Sequence, residues 1–413
     1  MKLFVVVGLF IFFETQAMPL FERYEKLENA LPFISLARTP TPLQRCHNLE
    51  KILGCYALFI KRDDLTGAGG LYGGNKVRKL EFLLADALEK GAKRIVTIGG
   101  VGTNHGLATA CYAKQVELDC LLMLKHQPNS PVVQQNLLLD HYFGAKIAAF
   151  SSIEERNATV EKLLESSNDT YFIPTGGSTA LGTLGYVNAA FELKEQVESG
   201  LVPELDYIYV PVGSGGTVAG LLLGCVLAGI QTKIIAVAVE PEETVGELKN
   251  MIQKLFFETN QLLNSVSDAI PLFPFPDKQL SINKDFSGAE YGQWLSSGDD
   301  AAKLLYKEEG IVLDGTYSAK ALAALIADSK NAVRGKDDSV LFWNTYCGTD
   351  FSQITSQIAY QQLPEAVHCY FEDAQLIDGG QQHAELYKNY FNFLEKFNGT
   401  LVKLISRQGS INV

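Results

Sequence analysis

The amino-acid sequence predicts an α/β protein built on mostly parallel sheets. Two observations carry that expectation. From about Tyr56 onward, short β-branched or apolar runs alternate with amphipathic stretches of helical period. Glycine-rich segments also fall between predicted strands and helices, where open α/β sheets place their ligands.

In chain order, Tyr56–Lys61 reads as a strand and Lys76–Lys90 as a helix ended by Gly91. Arg94–Ile98 is a strand, Asn104–Gln115 a helix and Cys120–Leu124 a strand. Pro131–Phe143 is helical and closed by Gly144, Lys146–Ala149 is a strand, and Ile153–Ser166 is a helix. The strand Tyr171–Ile173 precedes a long helix from Thr183 to Glu198. A second series follows with the strand Tyr207–Val210, the helix Gly216–Ala228 and the strand Ile234–Val239. From Glu240 a helical pattern runs to about Leu263 and gives way to a Pro- and Phe-rich loop at Pro271–Pro276. Helices are expected at Asp299–Glu309 and Ala319–Ser329, and a last buried strand at Val340–Asn344. Beyond Pro364 the pattern becomes aromatic-rich and weakly periodic, ending in the strand-like Thr400–Ile405.

At 413 residues the chain has room for two ordinary α/β domains. With 47% hydrophobic and 20% charged residues it has the balance of a packed globular protein. A net charge of -12 argues against a nucleic-acid partner, which needs a basic face, and no basic run suits a membrane surface. The seven cysteines are scattered without a CxxC pair, so free thiols in a reducing compartment are expected, with no metal cluster. The N-terminus pulls the other way. Lys2, the apolar run Leu3–Phe13 and Thr15-Gln16-Ala17 have the order of a secretory signal, while a start at Met18 is the rival reading. A cytoplasmic location is favoured, with secretion or a periplasmic location as the alternative, and residues 1–17 stay outside the fold.

Four segments carry the chemistry. In Gly73-Gly74-Asn75-Lys76-Val77-Arg78-Lys79-Leu80-Glu81, a lysine stands at the first turn of a helix, where a cation opposes the macrodipole. An unprotonated amine there suits imine formation with an aldehyde cofactor; a plain surface lysine is the alternative. Val210-Pro211-Val212-Gly213-Ser214-Gly215-Gly216-Thr217 follows a strand and opens a helix, with backbone N–H groups and the Thr217 hydroxyl free to converge on a phosphate. It has no Walker lysine and does not fit GxGxxG, which weighs against a nucleotide. Gly99-Gly100-Val101-Gly102-Thr103-Asn104-His105-Gly106 suits a carboxylate, and Pro174-Thr175-Gly176-Gly177-Ser178-Thr179-Ala180-Leu181-Gly182 is a further turn of this kind. Together these favour a small phosphorylated cofactor.

Residues 73–81, Ile173–Gly182 and Gly213–Gly220 resemble the 1-aminocyclopropane-1-carboxylate (ACC) deaminase and D-cysteine desulfhydrase family, with agreement from about Thr41 to about Phe351. The resemblance implies a fold-type II pyridoxal 5′-phosphate (PLP) enzyme, similar to the tryptophan synthase β-subunit, with two three-layer αβα domains. The catalytic region is then 18–355, with a smaller domain of about 85–190 inserted in a larger one, and 356–413 a C-terminal extension of unknown role. Lys76 would form the Schiff base, supported by Asn75, and Gly213, Ser214, Gly215, Gly216 and Thr217 would hold the phosphate. Asn104 would contact the pyridine 3′-oxygen. Thr103, Asn104, His105 and Gly106 would meet the substrate carboxylate, and Tyr291 and Tyr317 would be active-site tyrosines.

Ser318 would stand near the ring nitrogen, where ACC deaminases carry Glu and desulfhydrases Thr. A carboxylate there deepens the electron sink, whereas a hydroxyl suffices for a good β-leaving group such as thiolate. The expected function is therefore β-elimination from a small amino acid to a 2-oxo acid and ammonia, with sulfide from D-cysteine, in a homodimer. An ACC deaminase, another D-amino-acid deaminase, a PLP-binding protein without turnover and a nucleotide-binding α/β protein are the alternatives. Two departures from the family bear on the substrate. Thr103 replaces the usual Ser, and its methyl is expected to narrow the pocket. The segment Trp343–Thr349 replaces a Thr-Gly-Gly or similar glycine pair, and Tyr346 and Cys347 within it are expected to crowd the cofactor's edge.

Overall fold

The structure, a computed structural model, describes residues 18–54, 57–331, 333, 335 and 337–372. The signal-like segment 1–17 and the strand expected at Thr400–Ile405 lie outside the described residues.

Ten strands form two sheets: β1 (Leu43–Arg45), β2 (Ala57–Arg62), β3 (Arg94–Gly100), β4 (Asp119–Lys125), β5 (Lys146–Phe150), β6 (Thr170–Ile173), β7 (Tyr207–Val212), β8 (Lys233–Ala238), β9 (Leu280–Asn283) and β10 (Ser339–Asn344). The larger sheet runs β1-β2-β10-β7-β8-β9 and the smaller β5-β4-β3-β6. Every pairing is parallel except β1 with β2. Parallel strands need crossovers, and the helices that supply them pack on the sheet faces, so β2, β7, β8 and β10 are almost wholly buried. The fold-type II architecture read from the sequence is the one observed.

The helices Ala180–Glu198 and Gly216–Ala228 approach closely on the larger sheet. A Cβ on Gly220 would lie 2.5 Å from the Tyr186 Cβ, and one on Gly224 2.5 Å from the Ala190 Cβ, so glycine at both positions permits the contact. Apolar side chains from these helices and from β7, β8 and β10 form the largest core cluster. A second cluster joins helices Lys76–Glu89, Asn104–Gln115 and Pro131–Tyr142 to the C-terminal residues Leu363, Val367 and Tyr370.

Several elements differ in extent from the sequence expectation. β3 runs through Gly99 and Gly100, so the first two glycines of that loop still belong to the sheet. The long helix begins at Ala180, three residues early, because Thr179 caps it by accepting the Gly182 N–H at 3.0 Å. The helix after Glu240 is Val245–Val266, started by a capping box of Thr244 and Glu247. No helix among the described residues is long and apolar enough to cross a membrane.

Candidate active site

The carboxyl ends of β3, β4, β7 and β10 open onto a cavity of about 510 Å³. Lys76 lines it. Gly74, at φ +95°, makes the turn into its helix, and the Gly74 and Asn75 N–H groups are tied to the Asp63 and Thr345 carbonyls at 2.9 and 3.0 Å. Asn75 donates from Nδ2 to Thr217 Oγ1 at 3.1 Å, linking the lysine segment to the glycine loop after β7. Burial, partly offset by Asp314, brings the Lys76 amine down from 10.5 to about 8. The neutral fraction needed for attack on an aldehyde therefore rises as pH passes through about 8.

Gly213, Ser214, Gly215, Gly216 and Thr217 all line the same cavity. The backbone N–H groups of Gly213, Ser214, Gly215 and Thr217 have no hydrogen-bond partner among the described residues. Unpaired donors at the N-terminus of a 13-residue helix fit a phosphate dianion.

Lys79, which the sequence reading did not single out, reinforces this fit. It is buried one turn beyond Lys76 and donates to Gly176 O at 3.1 Å and Ser178 Oγ at 3.2 Å. Ser178 and Ser214 share a hydroxyl bond of 2.8 Å, and a Cβ on Gly216 would come within 2.8 Å of the Lys79 Nζ. Burial and then the neighbouring Lys76 hold the Lys79 amine well below its ordinary range; an adjacent dianion would restore its charge. The i, i+3 spacing from Lys76 was the available signal.

Gly99, Gly100, Thr103, Asn104 and His105 line the same cavity, whereas Gly106 does not. Asn104 Oδ1 accepts from Tyr72 Oη at 3.1 Å and from Asn136 Nδ2 at 3.3 Å. With its oxygen engaged by two donors, the amide turns its N–H₂ toward the cavity, the orientation that suits an oxyanion such as a pyridine 3′-oxygen. Thr103 caps its helix, accepting the Gly106 N–H at 3.3 Å. Thr103 lines the cavity, and its methyl packs against glycine backbone on either side. Cβ atoms on Gly99 and Gly106 would fall 2.9 and 2.5 Å from it, so it sits between two glycines. His105 is buried with neither ring nitrogen bonded, and burial holds it well below its usual range, so it is a neutral imidazole.

Tyr291 and Tyr317 also line the cavity, with their hydroxyls 2.6 Å apart. Burial raises both phenols, leaving them neutral groups that hold a proton. Glu240, raised to about 7 by burial and then by Glu243 and Glu242, is a further lining residue that the sequence reading missed.

Ser318 stands apart: it is fully buried and not part of the lining. Its hydroxyl donates to Asp314 Oδ1 at 2.5 Å and accepts the Asp314 N–H at 2.9 Å. The expected crowding by Tyr346-Cys347 is also absent. Of that segment only Thr345 lines the cavity, and Cys347 Sγ accepts the Gly73 N–H at 3.1 Å within the core.

A lysine with a depressed pKa facing an unpaired phosphate cradle, in a parallel α/β fold, defines a class. The chain belongs to the family of pyridoxal-phosphate dependent enzymes, whose sequence pattern matches residues 34–345. Two relatives and one solved structure narrow the comparison. A Pyrococcus furiosus protein provisionally named 1-aminocyclopropane-1-carboxylate deaminase is 32% identical over 330 residues, 78% of this chain and 94% of that one. The D-cysteine desulfhydrase of Serratia proteamaculans is 34% identical over 323 residues, 76% of this chain and 93% of that one. The crystal structure of an ACC deaminase homologue aligns with a TM-score of 0.67 and 31% identity, covering 81% of this chain and 98% of the other.

Proposed function

We propose that the chain catalyses PLP-dependent β-elimination from a small amino acid, with D-cysteine as the substrate to test first, which with one water gives pyruvate, sulfide and ammonia. The observation that carries the PLP site is the Lys76 amine, brought down to about 8, in one cavity with four unpartnered N–H groups. PLP bound through Lys76 supplies the electron sink that makes the substrate's α-hydrogen acidic.

The protein's residues do the rest. The 213–217 loop, with Lys79 beside it, holds the phosphate; the Asn104 amide donates to the 3′-oxygen; and the backbone N–H groups of Asn104 and His105 receive the substrate carboxylate, those of Thr103 and Gly106 being already bonded. The Lys76 amine would take the α-proton and pass a proton to the departing thiolate, and the Tyr291–Tyr317 pair holds a further proton in the same cavity. Elimination is preferred over ring opening on the family resemblance at position 318, a neutral hydroxyl where ACC deaminases carry a carboxylate; Ser318 itself lies outside the cavity lining and donates to Asp314.

The test has two parts. Purified protein should absorb near the visible edge, and borohydride should abolish the band with label fixed at Lys76; a colourless protein overturns the cofactor site. Pyruvate from D-cysteine and β-chloro-D-alanine supports elimination, whereas 2-oxobutyrate from ACC overturns the preference and silence from all three leaves a ligand-binding protein.

The remaining assignments belong to the same proposal. The four-stranded sheet lies within residues 94–173, which supports a smaller domain of about 85–190 inside a catalytic region of 18–355. A homodimer is checked by sedimentation. A cytoplasmic location fits the described cysteines, all of them free thiols, and is checked by sequencing the mature N-terminus.

A further inference from the structure

The last described segment, Leu363–Glu372, lies beyond residue 345, where the family match ends, yet it packs against the wall of the cavity. That wall has a weak point. Residues 126–130 join β4 to the helix Pro131–Tyr142 without regular structure of their own. His126 and Gln127 from this loop line the cavity. Gln127 Oε1 accepts the Gly102 N–H at 3.2 Å, and its Nε2 lies 3.4 Å from where a Gly292 Cβ would be. The side chain thus stands between the Gly99–Gly106 loop and the Tyr291 segment.

Tyr370 supplies the bonds this loop lacks. Its hydroxyl meets the Gln127 N–H at 3.2 Å, the Gln127 carbonyl at 3.2 Å and His126 Nδ1 at 2.8 Å. A phenol has one proton and two lone pairs. Donation to the carbonyl therefore leaves it to accept from both nitrogens, and its capacity is filled. The Tyr370 and His126 rings stack at 5.7 Å and 18°. The Tyr370 carbonyl accepts from Asn129 Nδ2 at 2.8 Å and Gln134 Nε2 at 2.7 Å, tying down the far end of the loop and the following helix.

We infer that Tyr370 is a positioning residue for the amino-acid subsite, and that Leu363–Glu372 acts as a strap locking His126 and Gln127 into one wall of the cavity. Its kinetic consequence rests on the function proposed above; its structural consequence rests on these contacts alone. Without the phenol, the Gln127 backbone loses both partners and the side chain no longer holds a fixed place beside Gly102. The cofactor linkage at Lys76, on another wall, is untouched.

The test uses the full-length, PLP-loaded protein. Tyr370→Phe keeps the ring stack and removes three hydroxyl bonds. Amide hydrogen exchange in the peptide covering 126–130 should quicken about tenfold, with the Lys76 absorbance unchanged. The KM for D-cysteine should rise roughly two- to tenfold, with kcat held within about twofold. In a Gln127→Ala background the same substitution should shift KM by less than about twofold, because the side chain it positions is gone. Tyr360→Phe, which removes an exposed hydroxyl that meets Glu372 and touches neither residues 126–130 nor the cavity, is the control expected to change nothing.

Should Tyr370→Phe disturb the fold, Gln134→Leu removes a single bond to the strap and should quicken exchange in the same peptide. Unchanged exchange at 126–130 in both variants overturns the strap, as does a KM effect that simply adds to that of Gln127→Ala. Absence of D-cysteine turnover counts against the proposed reaction, while the exchange result still decides the role of Tyr370.

Discussion

The helix Lys76–Glu89 carries buried cations into two surroundings that differ in one respect: one is closed and the other open. On the closed side, Arg78 binds Asp63 through Nε at 3.1 Å and Nη2 at 2.8 Å, and Glu192 through Nη1 at 2.9 Å. Asp63 is also held by Thr41, Tyr186 and Trp343, and Glu192 by Lys61. Burial alone would raise the Glu192 carboxyl, but Arg78 and Lys61 outweigh it and hold it at about 2. On the open side, no acid among the described residues is bonded to Lys76 or Lys79, and both amines fall below their usual range. A buried charge with all its partners supports the fold; one lacking its counter-charge is prepared for a ligand.

The contrast is sharpest in stability. Arg78→Met leaves Asp63 buried without its cation and Glu192 with Lys61 alone, and should cost about 3–5 kcal/mol in urea unfolding. A loss under about 1 kcal/mol would mean that the closed cluster is not what secures the Lys76 segment. Lys79→Gln should do the opposite. It removes a buried amine that has hydrogen-bond partners but no counter-charge among the described residues, so stability of the cofactor-free protein should hold or improve. Its affinity for PLP should fall by about 1.5–3 kcal/mol, the worth of a charge-assisted bond to phosphate. Titration of cofactor-free protein with PLP, followed by absorbance, measures this directly. Equal PLP affinity in native and variant protein would place Lys79 with Arg78 as a structural residue.

The open side was the legible one. Glycine loops and a lysine at a helix start are local patterns within about ten residues, and Lys76, Asn75, Thr103, Asn104, His105, Tyr291, Tyr317 and the 213–217 loop all line the cavity. The closed side was invisible because its contacts are distant in sequence: Arg78 meets Glu192 across 114 positions and Trp343 meets Asp63 across 280. No periodicity encodes such pairs. The elements missed were short ones. β1 has three residues and β9 four, too few to display an alternation, and the helix His47–Leu53 spans under two turns. Ser318, assigned to the ring nitrogen by resemblance alone, lies outside the lining, and the carboxylate four residues earlier, Asp314, accepts its hydroxyl.

The smallest predicted effect tests whether the open side is also oriented. Asn104 is useful to a bound oxyanion only if its amide nitrogen faces the cavity, and Tyr72 and Asn136 fix that by occupying its oxygen. Burial raises the Tyr72 phenol well above its usual range, so it stays a donor at any working pH. Tyr72→Phe removes one of the two donors at little change in shape, a loss of about 0.5–1.5 kcal/mol. The amide then spends part of its time flipped, with oxygen facing oxygen at the 3′-position. A shift of the cofactor's visible band, with a two- to tenfold weaker PLP affinity, is expected. An unchanged spectrum and affinity would show that Asn136 alone sets the amide, and that Tyr72 belongs with the closed, structural side of the comparison.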